Sequence, residues 1–248
     1  MTDRKLVALV HGESGSGKSR LLDSAPGPRL ILDVEGGSMW TPSRKIEWDP
    51  AHPLPQSFPD GSPITTDTTV VVYVTNFQTM QQTYQWLSLG NHYFESVGID
   101  SLTEAQKRCR DSISGAGQMS EQMWGKLLIE MEILIRNFRD LRTHPTKPVN
   151  VFISALTVNK DNRWRADVQG ALVRQLPGYV DVLGYLFNAP STDGSGRVER
   201  SLLIAPINNI DAKDRTDIFT QKFGTVIPTS IGSDMTCDLA CMVEMVNE

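Results

Sequence analysis

The segment Gly12 to Ser19 reads GESGSGKS, and its residue types and spacing carry the clearest chemistry in the chain. It fits G-x-x-x-x-G-K-[ST], the pattern of a loop whose backbone N–H groups wrap phosphate oxygens. Its glycines let the backbone bend inward, and Lys18 adds a positive charge for the β- and γ-phosphates. The Ser19 hydroxyl is the expected Mg²⁺ ligand. The predicted nucleotide-binding residues are Gly12, Glu13, Ser14, Gly15, Ser16, Gly17, Lys18, Ser19 and Arg20.

The segments on either side of this loop match the elements that such a loop needs. Residues 5–10 read KLVALV, an apolar and β-prone run suited to a buried parallel strand. Residues 19–23 can start a helix, which Pro26-Gly27-Pro28 would end. The alternative is an ordinary Gly/Ser turn that happens to contain a lysine. The order strand, glycine loop and helix favours phosphate binding over that alternative.

A nucleotide site also needs an acidic group near the metal, and Asp100 is the candidate. Asp100 directly follows the strand predicted at 93–99, and ligands bind at the carboxyl ends of parallel strands. We expect it to hold Mg²⁺ through the water shell of the ion. A second interpretation makes Asp100 an N-cap for the helix that begins at Leu102.

Hydrolysis requires a group that orients the attacking water. Ser101 follows Asp100, so the chain lacks an Asp-Glu pair at this strand end. Glu35 is the candidate instead, because it follows the strand predicted at 29–34 and precedes Gly36-Gly37, which permit close backbone approach. The alternative is a surface glutamate before a glycine turn.

Composition and charge bound the class of protein. The chain has 248 residues and a formal net charge of −5, which disfavours a protein coated in basic surface for duplex DNA but allows local basic loops. No apolar run approaches the length of a membrane span, and the N-terminus leads directly into a strand, so we expect a cytoplasmic protein. Of the three cysteines, Cys237 and Cys241 are expected to be small buried residues in a reduced setting.

Strands and helices alternate through the first part of the chain. Strands are predicted at 5–10, 29–34, 69–74, 93–99 and 149–155, and helices at 19–23, 77–89, 102–113 and 121–141. This alternation predicts an α/β fold, with a mostly parallel sheet flanked by helices. A proline-rich insertion occupies about 38–68. From about 158 the pattern changes, and 178–187 and 197–205 flank a Gly/Ser/Asp turn at 191–196, which predicts an antiparallel β extension. We expect one domain over 1–248, with a core at 1–157 and the extension at 158–248.

An ordered set of motifs resembles a known family. The set comprises the phosphate loop, Asp33 to Gly37, Ile99 to Thr103, Trp124-Gly125-Lys126 and Lys213-Asp214-Arg215. Together these resemble phage-encoded RecA-like P-loop ATPases of the AAA-domain and single-strand-annealing type, over residues 6–215. The resemblance implies Mg²⁺-dependent ATP hydrolysis, action on single-stranded DNA in phage recombination or replication inside the host cell, and a homo-oligomeric ring or filament.

The same resemblance implies roles for two later parts of the chain. In RecA-like assemblies, basic residues of one subunit reach the γ-phosphate bound by its neighbour, and Lys213 and Arg215 match them; the alternative is a solvated loop. Such proteins often carry a glutamine sensor after the strand that matches 151–155. Here Ala155-Leu156-Thr157 stands at that point, so Ser154 or Thr157 would have to substitute.

A DNA-binding loop is implied immediately after that strand. Its candidate residues are Lys160, Arg163, Trp164 and Arg165, because arginines track phosphates and an indole ring can stack on bases. Trp164 as a half-buried anchor of a hairpin is an equal alternative. The insertion, with Trp40, Arg44, Lys45 and Trp48, is a second candidate surface.

Other functions stay open at this stage. A P-loop small-molecule kinase would need an arginine-rich lid, and no compact lid signature is present. A nucleotide-gated assembly or signalling protein is a further alternative. Asn159-Lys160-Asp161 resembles the guanine-reading N-K-x-D motif without its spacer. GTP therefore stays open as an alternative to ATP as the bound nucleotide.

Overall fold

The computed structural model describes residues 3–191, 196–231 and 234–248, and its strands and helices alternate as the sequence predicts. The strands are β1 Val7–Gly12, β2 Arg29–Asp33, β3 Arg44–Glu47, β4 Thr68–Tyr73, β5 Ser96–Asp100, β6 Asn150–Lys160, β7 Arg163–Ala166, β8 Val182–Pro190, β9 Val198–Leu203, β10 Lys213–Asp214, β11 Val226–Ile231 and β12 Asp234–Met235. The helices are α1 Lys18–Leu22, α2 Phe77–Leu87, α3 Leu102–Ser114, α4 Glu121–Asp140, α5 Leu172–Tyr179, α6 Ile218–Phe223 and α7 Leu239–Asn247. Short 3₁₀ helices lie at Gly37–Trp40 and Leu141–Thr143.

The strands form one mixed sheet in the order β12-β11-β9-β8-β1-β6-β5-β2-β4-β3, and β10 and β7 pair with β8 and β6. From β8 to β3 every neighbouring pair along this order is parallel. The carboxyl ends of β1, β2, β5 and β6 therefore meet at one edge of the sheet. Polar residues that follow these strands are brought together there.

Side chains of alternate strand residues build one core on each face of the sheet. Val7 and Leu9 of β1 pack with α2, α3, α4 and α5 on one face. Ala8 and Val10 pack with α1, α6 and α7 on the other. Both faces of the parallel region are covered by helices, as the alternating pattern predicts.

The predicted α/β fold with a C-terminal antiparallel extension is confirmed, with differences in detail. The strand after Val149 continues to Lys160. The proline-rich insertion contains β3, a four-residue edge strand parallel to β4. The segment beyond residue 157 also contributes β8, which pairs in parallel with β1 and so belongs to the central sheet.

The region predicted as a strand at 178–187 begins within a helix. α5 runs to Tyr179 and contains Pro177, so β8 starts only at Val182. The predicted hairpin is present as the antiparallel pair β8–β9. Residues 192–195 of its predicted turn lie outside the described residues.

Cys237 is buried, as expected, but the expectation that Cys237 and Cys241 are reduced was wrong. Cys237 and Cys241 are joined by a disulfide, with Cα atoms 5.4 Å apart, a separation that suits such a bond. Their spacing of four residues at the start of α7 brings the two side chains within reach. Cys109 is a free, buried thiol. Within 3–191, 196–231 and 234–248, no helix is both long enough and apolar enough to cross a membrane.

Candidate active site

The phosphate loop lies between the end of β1 and the first turn of α1, as predicted. Lys18 is the first residue of α1 and is only 7% exposed. Its Nζ donates to the carbonyl oxygens of Gly12 (2.9 Å) and Glu13 (2.8 Å), so the ammonium lies folded against the loop. Burial lowers the pKa of Lys18, while the negative charges of Asp100 and Glu35 oppose that shift.

The N-cap position of α1 requires a glycine. Gly17 has φ +99°, a left-handed conformation that side chains disfavour. A Cβ atom at this position would also lie 2.8 Å from Nε of Arg200 on β9. The Arg200 side chain of β9 therefore lies against the phosphate loop at Gly17, a contact that the sequence did not predict.

The second part of the site is a chain of hydroxyl contacts around Asp100. Asp100 is 2% exposed and accepts hydrogen bonds from the hydroxyls of Ser19 and Ser154. Burial is the main reason why the pKa of Asp100 is raised, and the two hydroxyls oppose that shift. Ser154, in the middle of β6, is thus the polar residue of that strand that contacts this carboxylate, and it is one of the two alternatives considered for the missing glutamine.

The loop after β2 is organised by Asp33. Its Oδ1 accepts from the backbone N–H groups of Glu35 (3.1 Å), Gly36 (2.7 Å) and Gly37 (3.2 Å). Its Oδ2 accepts from the N–H of Ser38 (2.9 Å) and from the Ser38 hydroxyl. These bonds close the loop tightly, and they fix the backbone from which the Glu35 side chain extends.

Glu35 lies exposed at the same edge of the sheet. Its carboxylate accepts a hydrogen bond from the hydroxyl of Ser101, the residue that follows Asp100. Ser101 also caps α3, since its Oγ accepts from the N–H of Glu104 at 3.3 Å. The predicted water-orienting and metal-binding carboxylates are therefore carried by adjacent strands, and the N-cap of α3 is Ser101, not Asp100.

These residues fit a nucleotide with Mg²⁺. Gly37 faces Ser19 and Asp100 so closely that a Cβ atom would lie 2.6 Å from Ser19 Oγ and 3.3 Å from Asp100 Oδ2. Ser16 Oγ is buried in the loop without a hydrogen-bond partner, which a phosphate oxygen would supply. A hydroxyl and a carboxylate are hard oxygen donors of the kind that Mg²⁺ prefers.

Lys213 and Arg215 lie away from the phosphate loop of their own chain. Lys213 pairs with Leu183 on β8, and its Nζ donates to the carbonyls of Val180 (2.7 Å) and Pro177 at the end of α5. Arg215, 49% exposed on its side chain, contacts Gly178 O at 3.1 Å and Asp181 at 3.5 Å. Since Asp181 precedes β8, both cations stand toward the start of that strand, whereas the phosphate loop follows the end of β1.

The candidate DNA-binding residues form the β6–β7 hairpin, whose turn residues Asp161 and Asn162 both have positive φ. Lys160 and Arg163 are exposed, and Arg163 Nε pairs with Asp211 at 2.5 Å. Arg165 lies 3.8 Å from Asp161.

Trp164 is half-buried in this hairpin. Its backbone N–H donates to the carbonyl of Asn209 (2.7 Å), and its ring lies 6.4 Å from that of Tyr185. The packing of Trp164 therefore agrees with the alternative in which it is a half-buried anchor of the hairpin.

Most of the second candidate surface is occupied by internal contacts. Arg44 stacks 3.6 Å above the ring of Phe58 and pairs with Asp60, and Lys45 donates to the carbonyls of Thr41 and Ser43. Trp48 is buried against Trp86. Trp40, in contrast, is 86% exposed at the end of the 3₁₀ helix that begins at Gly37.

Several residues of the site were not predicted as functional. Arg200 belongs to no motif, and Asp33 and Ser101 were noted only as parts of the Asp33 to Gly37 and Ile99 to Thr103 elements. The contact of Ser101 with Glu35 crosses 66 positions of sequence. The available signal was the adjacency of these residues to predicted strand ends, which identifies Asp33 and Ser101 but not Arg200.

Comparison with known proteins agrees with this geometry. No curated protein matched the chain. A family model described as an AAA domain matches residues 4–216, which include the phosphate loop, Glu35, Asp100 and Lys213-Asp214-Arg215. The chain therefore belongs to this family of AAA domains and is a nucleotide-binding P-loop ATPase domain.

Proposed function

We propose that this chain hydrolyses ATP in a Mg²⁺-dependent reaction, that it does so as a RecA-like homo-oligomer, and that single-stranded DNA is its second ligand. The observation that carries the proposal is the hydrogen bond from Ser101 to Glu35. It holds an otherwise exposed carboxylate beside the cluster of Ser19 and Asp100.

Each residue of the site has a part in that reaction. The loop N–H groups and Lys18 bind the phosphates, and Lys18 exchanges the carbonyls of Gly12 and Glu13 for phosphate oxygens. Ser19 and Asp100 would hold Mg²⁺, and the ion would neutralise charge on the β- and γ-phosphates. Glu35 accepts a hydrogen bond from the attacking water and aligns it.

The chemistry is a hydrolysis at the γ-phosphorus. The oxygen of water forms a bond to that phosphorus while the bond to the β–γ bridging oxygen breaks. The products are ADP and inorganic phosphate, and the proton lost by water passes by way of Glu35 to solvent or to phosphate. No oxidant or further co-reactant is needed.

The oligomer is the second part of the proposal. Arg215 lies near the start of β8, whereas the phosphate loop follows the end of the parallel strand β1, so Arg215 does not reach the phosphates of its own chain. About half of its side chain is exposed and accessible to a neighbour. Arginine supplied by a neighbouring subunit stabilises charge that develops in phosphoryl transfer. Lys213 contributes by holding the end of α5, next to Arg215.

Single-stranded DNA is the third part. The β6–β7 hairpin extends from β6 beyond Leu156, which pairs with Gly12 of the phosphate loop. It presents Lys160 and Arg163 to solvent at the same edge of the sheet as the nucleotide site. Exposed cations on a strand pair suit the phosphates of a single strand. A role in phage recombination or replication, in the cytoplasm of the host, rests on the family resemblance.

The test measures phosphate release with ATP and Mg²⁺, with and without single-stranded DNA at low salt. We expect release without any acceptor substrate, stimulation by DNA and loss of activity in Lys18→Ala. Lys160→Ala with Arg163→Ala should weaken DNA binding measured by fluorescence anisotropy, whereas Arg136→Ala, an exposed arginine on α4, should not. No DNA binding with an ATP analogue would reject the DNA part, and no phosphate release would reject the ATPase part.

A further inference from the structure

His11 is a fully buried imidazole directly before the phosphate loop, and the proposed reaction gives it no role. Its Nδ1 lies 2.9 Å from Oγ1 of Thr157, where β6 becomes the hairpin. Its Nε2 lies 2.8 Å from the carbonyl oxygen of Asp211, two residues before Lys213. The rest of the ring packs near Tyr185, with centroids 5.3 Å apart. One side chain thus joins the phosphate loop to two elements that are 146 and 200 positions away in sequence.

The hydrogen atoms available to this group do not satisfy every contact when His11 is neutral. The Asp211 carbonyl can only accept, so Nε2 must carry the hydrogen. Nδ1 is then an acceptor and requires the hydroxyl hydrogen of Thr157. The same hydroxyl lies 3.1 Å from the carbonyl oxygen of Arg165, which also requires it.

Thr157 therefore has two alternative hydrogen bonds. In one arrangement its hydroxyl donates to His11, and in the other it donates across the hairpin to Arg165. Burial favours the neutral imidazole by lowering the pKa of His11; nearby Lys18 adds to that shift, and Asp211 opposes it. Two discrete arrangements of one buried contact are what coupling between sites requires.

Both partners of His11 lead to cations of the hairpin. The carboxylate of Asp211 binds Arg163, and the backbone of Asp211 pairs with that of Trp164 at 2.8 Å. The carbonyl that competes for Thr157 belongs to Arg165. A small movement of His11 would therefore change the support of Arg163 and Arg165 together.

On the other side, His11 is bonded covalently to Gly12, whose carbonyl accepts from Lys18. When Lys18 transfers to phosphate oxygens, Gly12 loses that donor. Anionic phosphates would also favour a positive charge on the imidazole. Nucleotide binding therefore changes which of the two hydrogen bonds the Thr157 hydroxyl makes, because it alters both the position of His11 and the charge near its ring.

We propose that His11 is a positioning residue that transmits occupancy of the phosphate loop to the β6–β7 hairpin through the hydroxyl of Thr157. The inference deepens the proposed function, because it names the contact through which nucleotide would regulate the second ligand site.

Hydrogen–deuterium exchange of the hairpin amides at 157–166, with and without saturating ATP analogue and Mg²⁺, tests this inference without DNA. In the wild type we expect nucleotide to change hairpin exchange several-fold. Thr157→Val should abolish that change while nucleotide still saturates the protein in a separate titration, and Thr157→Ser should restore it. His11→Phe should behave as Thr157→Val does. Thr143→Val, which removes a hydroxyl bonded to Asp140 at 3.0 Å, is the matched control and should keep the change.

The outcomes separate this inference from the proposed function. Hairpin exchange that does not respond to nucleotide in the wild type would overturn the inference. A full response in Thr157→Val would overturn it too. A response that depends on Thr157 in a protein that neither hydrolyses ATP nor binds DNA would support the inference and reject the proposed function.

Discussion

The hydroxyl of Ser101 donates a hydrogen bond to the carboxylate of Glu35, and the same oxygen accepts from the N–H of Glu104 at the start of α3. One serine therefore fixes the beginning of a helix and the direction of a catalytic candidate. Because Ser101 is joined to Asp100, the positions of the two carboxylates are coupled. Because Ser101 orients Glu35 without changing its charge, a mutation of Ser101 tests the effect of the orientation of Glu35 separately from the effect of its charge.

Ser101→Ala should lower the rate of ATP hydrolysis about tenfold while Glu35 retains its charge, since a catalytic group held less firmly loses part of its contribution. Loss of the N-cap should also lower the free energy of unfolding by about 1 kcal/mol. Steady-state hydrolysis and urea unfolding measure the two effects.

Ser120→Ala is the matched control, because Ser120 caps α4 through the N–H of Met123 at 3.3 Å, the same length as the Ser101 contact. It should cost similar stability without slowing hydrolysis. Equal rates in the two variants would show that Ser101 acts only as a cap.

Gly37→Ala should weaken the use of Mg²⁺, because its methyl group would lie 2.6 Å from Ser19 Oγ. We expect the Mg²⁺ concentration for half-maximal activity to rise about tenfold, which corresponds to about 1.4 kcal/mol. Gly125→Ala is the control: nothing lies within 4 Å of its added Cβ, and it should stabilise α4 by about 1 kcal/mol. An unchanged Mg²⁺ dependence in Gly37→Ala would remove the metal site from Ser19 and Asp100.

Lys213 and Arg215 should differ in their effects. Lys213→Met should lower the free energy of unfolding by about 1–3 kcal/mol, because two carbonyls at the end of α5 lose their donor. Arg215→Ala should change stability by less than about 1 kcal/mol, since its ion pair is partly exposed. If Arg215 serves a neighbouring site, this variant should slow hydrolysis about 100-fold or more.

Mixing two variants tests whether Arg215 of one subunit acts at the nucleotide site of its neighbour. Arg215→Ala and Lys18→Ala are each expected to be inactive, but a mixture contains sites with an intact loop and an intact neighbouring arginine. Recovered activity supports the shared site, whereas a mixture as inactive as its components contradicts it.

His92 should make the protein less stable in acid. Burial is the main cause that lowers the pKa of His92 from 6.5 to about 4 in the folded state. Between these values the unfolded state binds more protons, so the free energy of unfolding falls as pH drops from 7 to 5. His92→Phe keeps the packing against Trp86 and Phe94 and removes the titration. The variant should lose less stability over that range, by about 1 kcal/mol after allowance for partial exposure. Urea unfolding at both pH values measures this difference, and identical losses would contradict it.

The positions of the phosphate loop, Glu35 and Asp100 could be predicted, because each lies at the end of a strand with a strong local pattern or directly after it. The short strand β3 and the helix α5 could not, for local reasons. β3 has four residues in a proline-rich segment, and α5 contains Pro177 and Gly178, which are poor helix formers.

The contacts of His11, Ser101 and Arg200 could not be predicted for a different reason. Each depends on contacts between residues distant in sequence, such as His11 with Asp211. Such contacts exist only after the strand order is established, and local propensity contains no information on that order. The cations Lys213 and Arg215 were found by family resemblance, but their distance from the phosphate loop of their own chain required the register of β8.

The most direct test of the central claim compares Glu35→Gln with the wild type in single-turnover hydrolysis of ATP and in equilibrium binding of ATP with Mg²⁺. Glutamine keeps the size of the side chain and can still accept from Ser101, but it is a far weaker proton acceptor. We predict hydrolysis slowed by about 100-fold or more, with an ATP dissociation constant within about threefold of the wild type. Hydrolysis at the wild-type rate with intact binding would contradict the assignment of Glu35 as the residue that orients water.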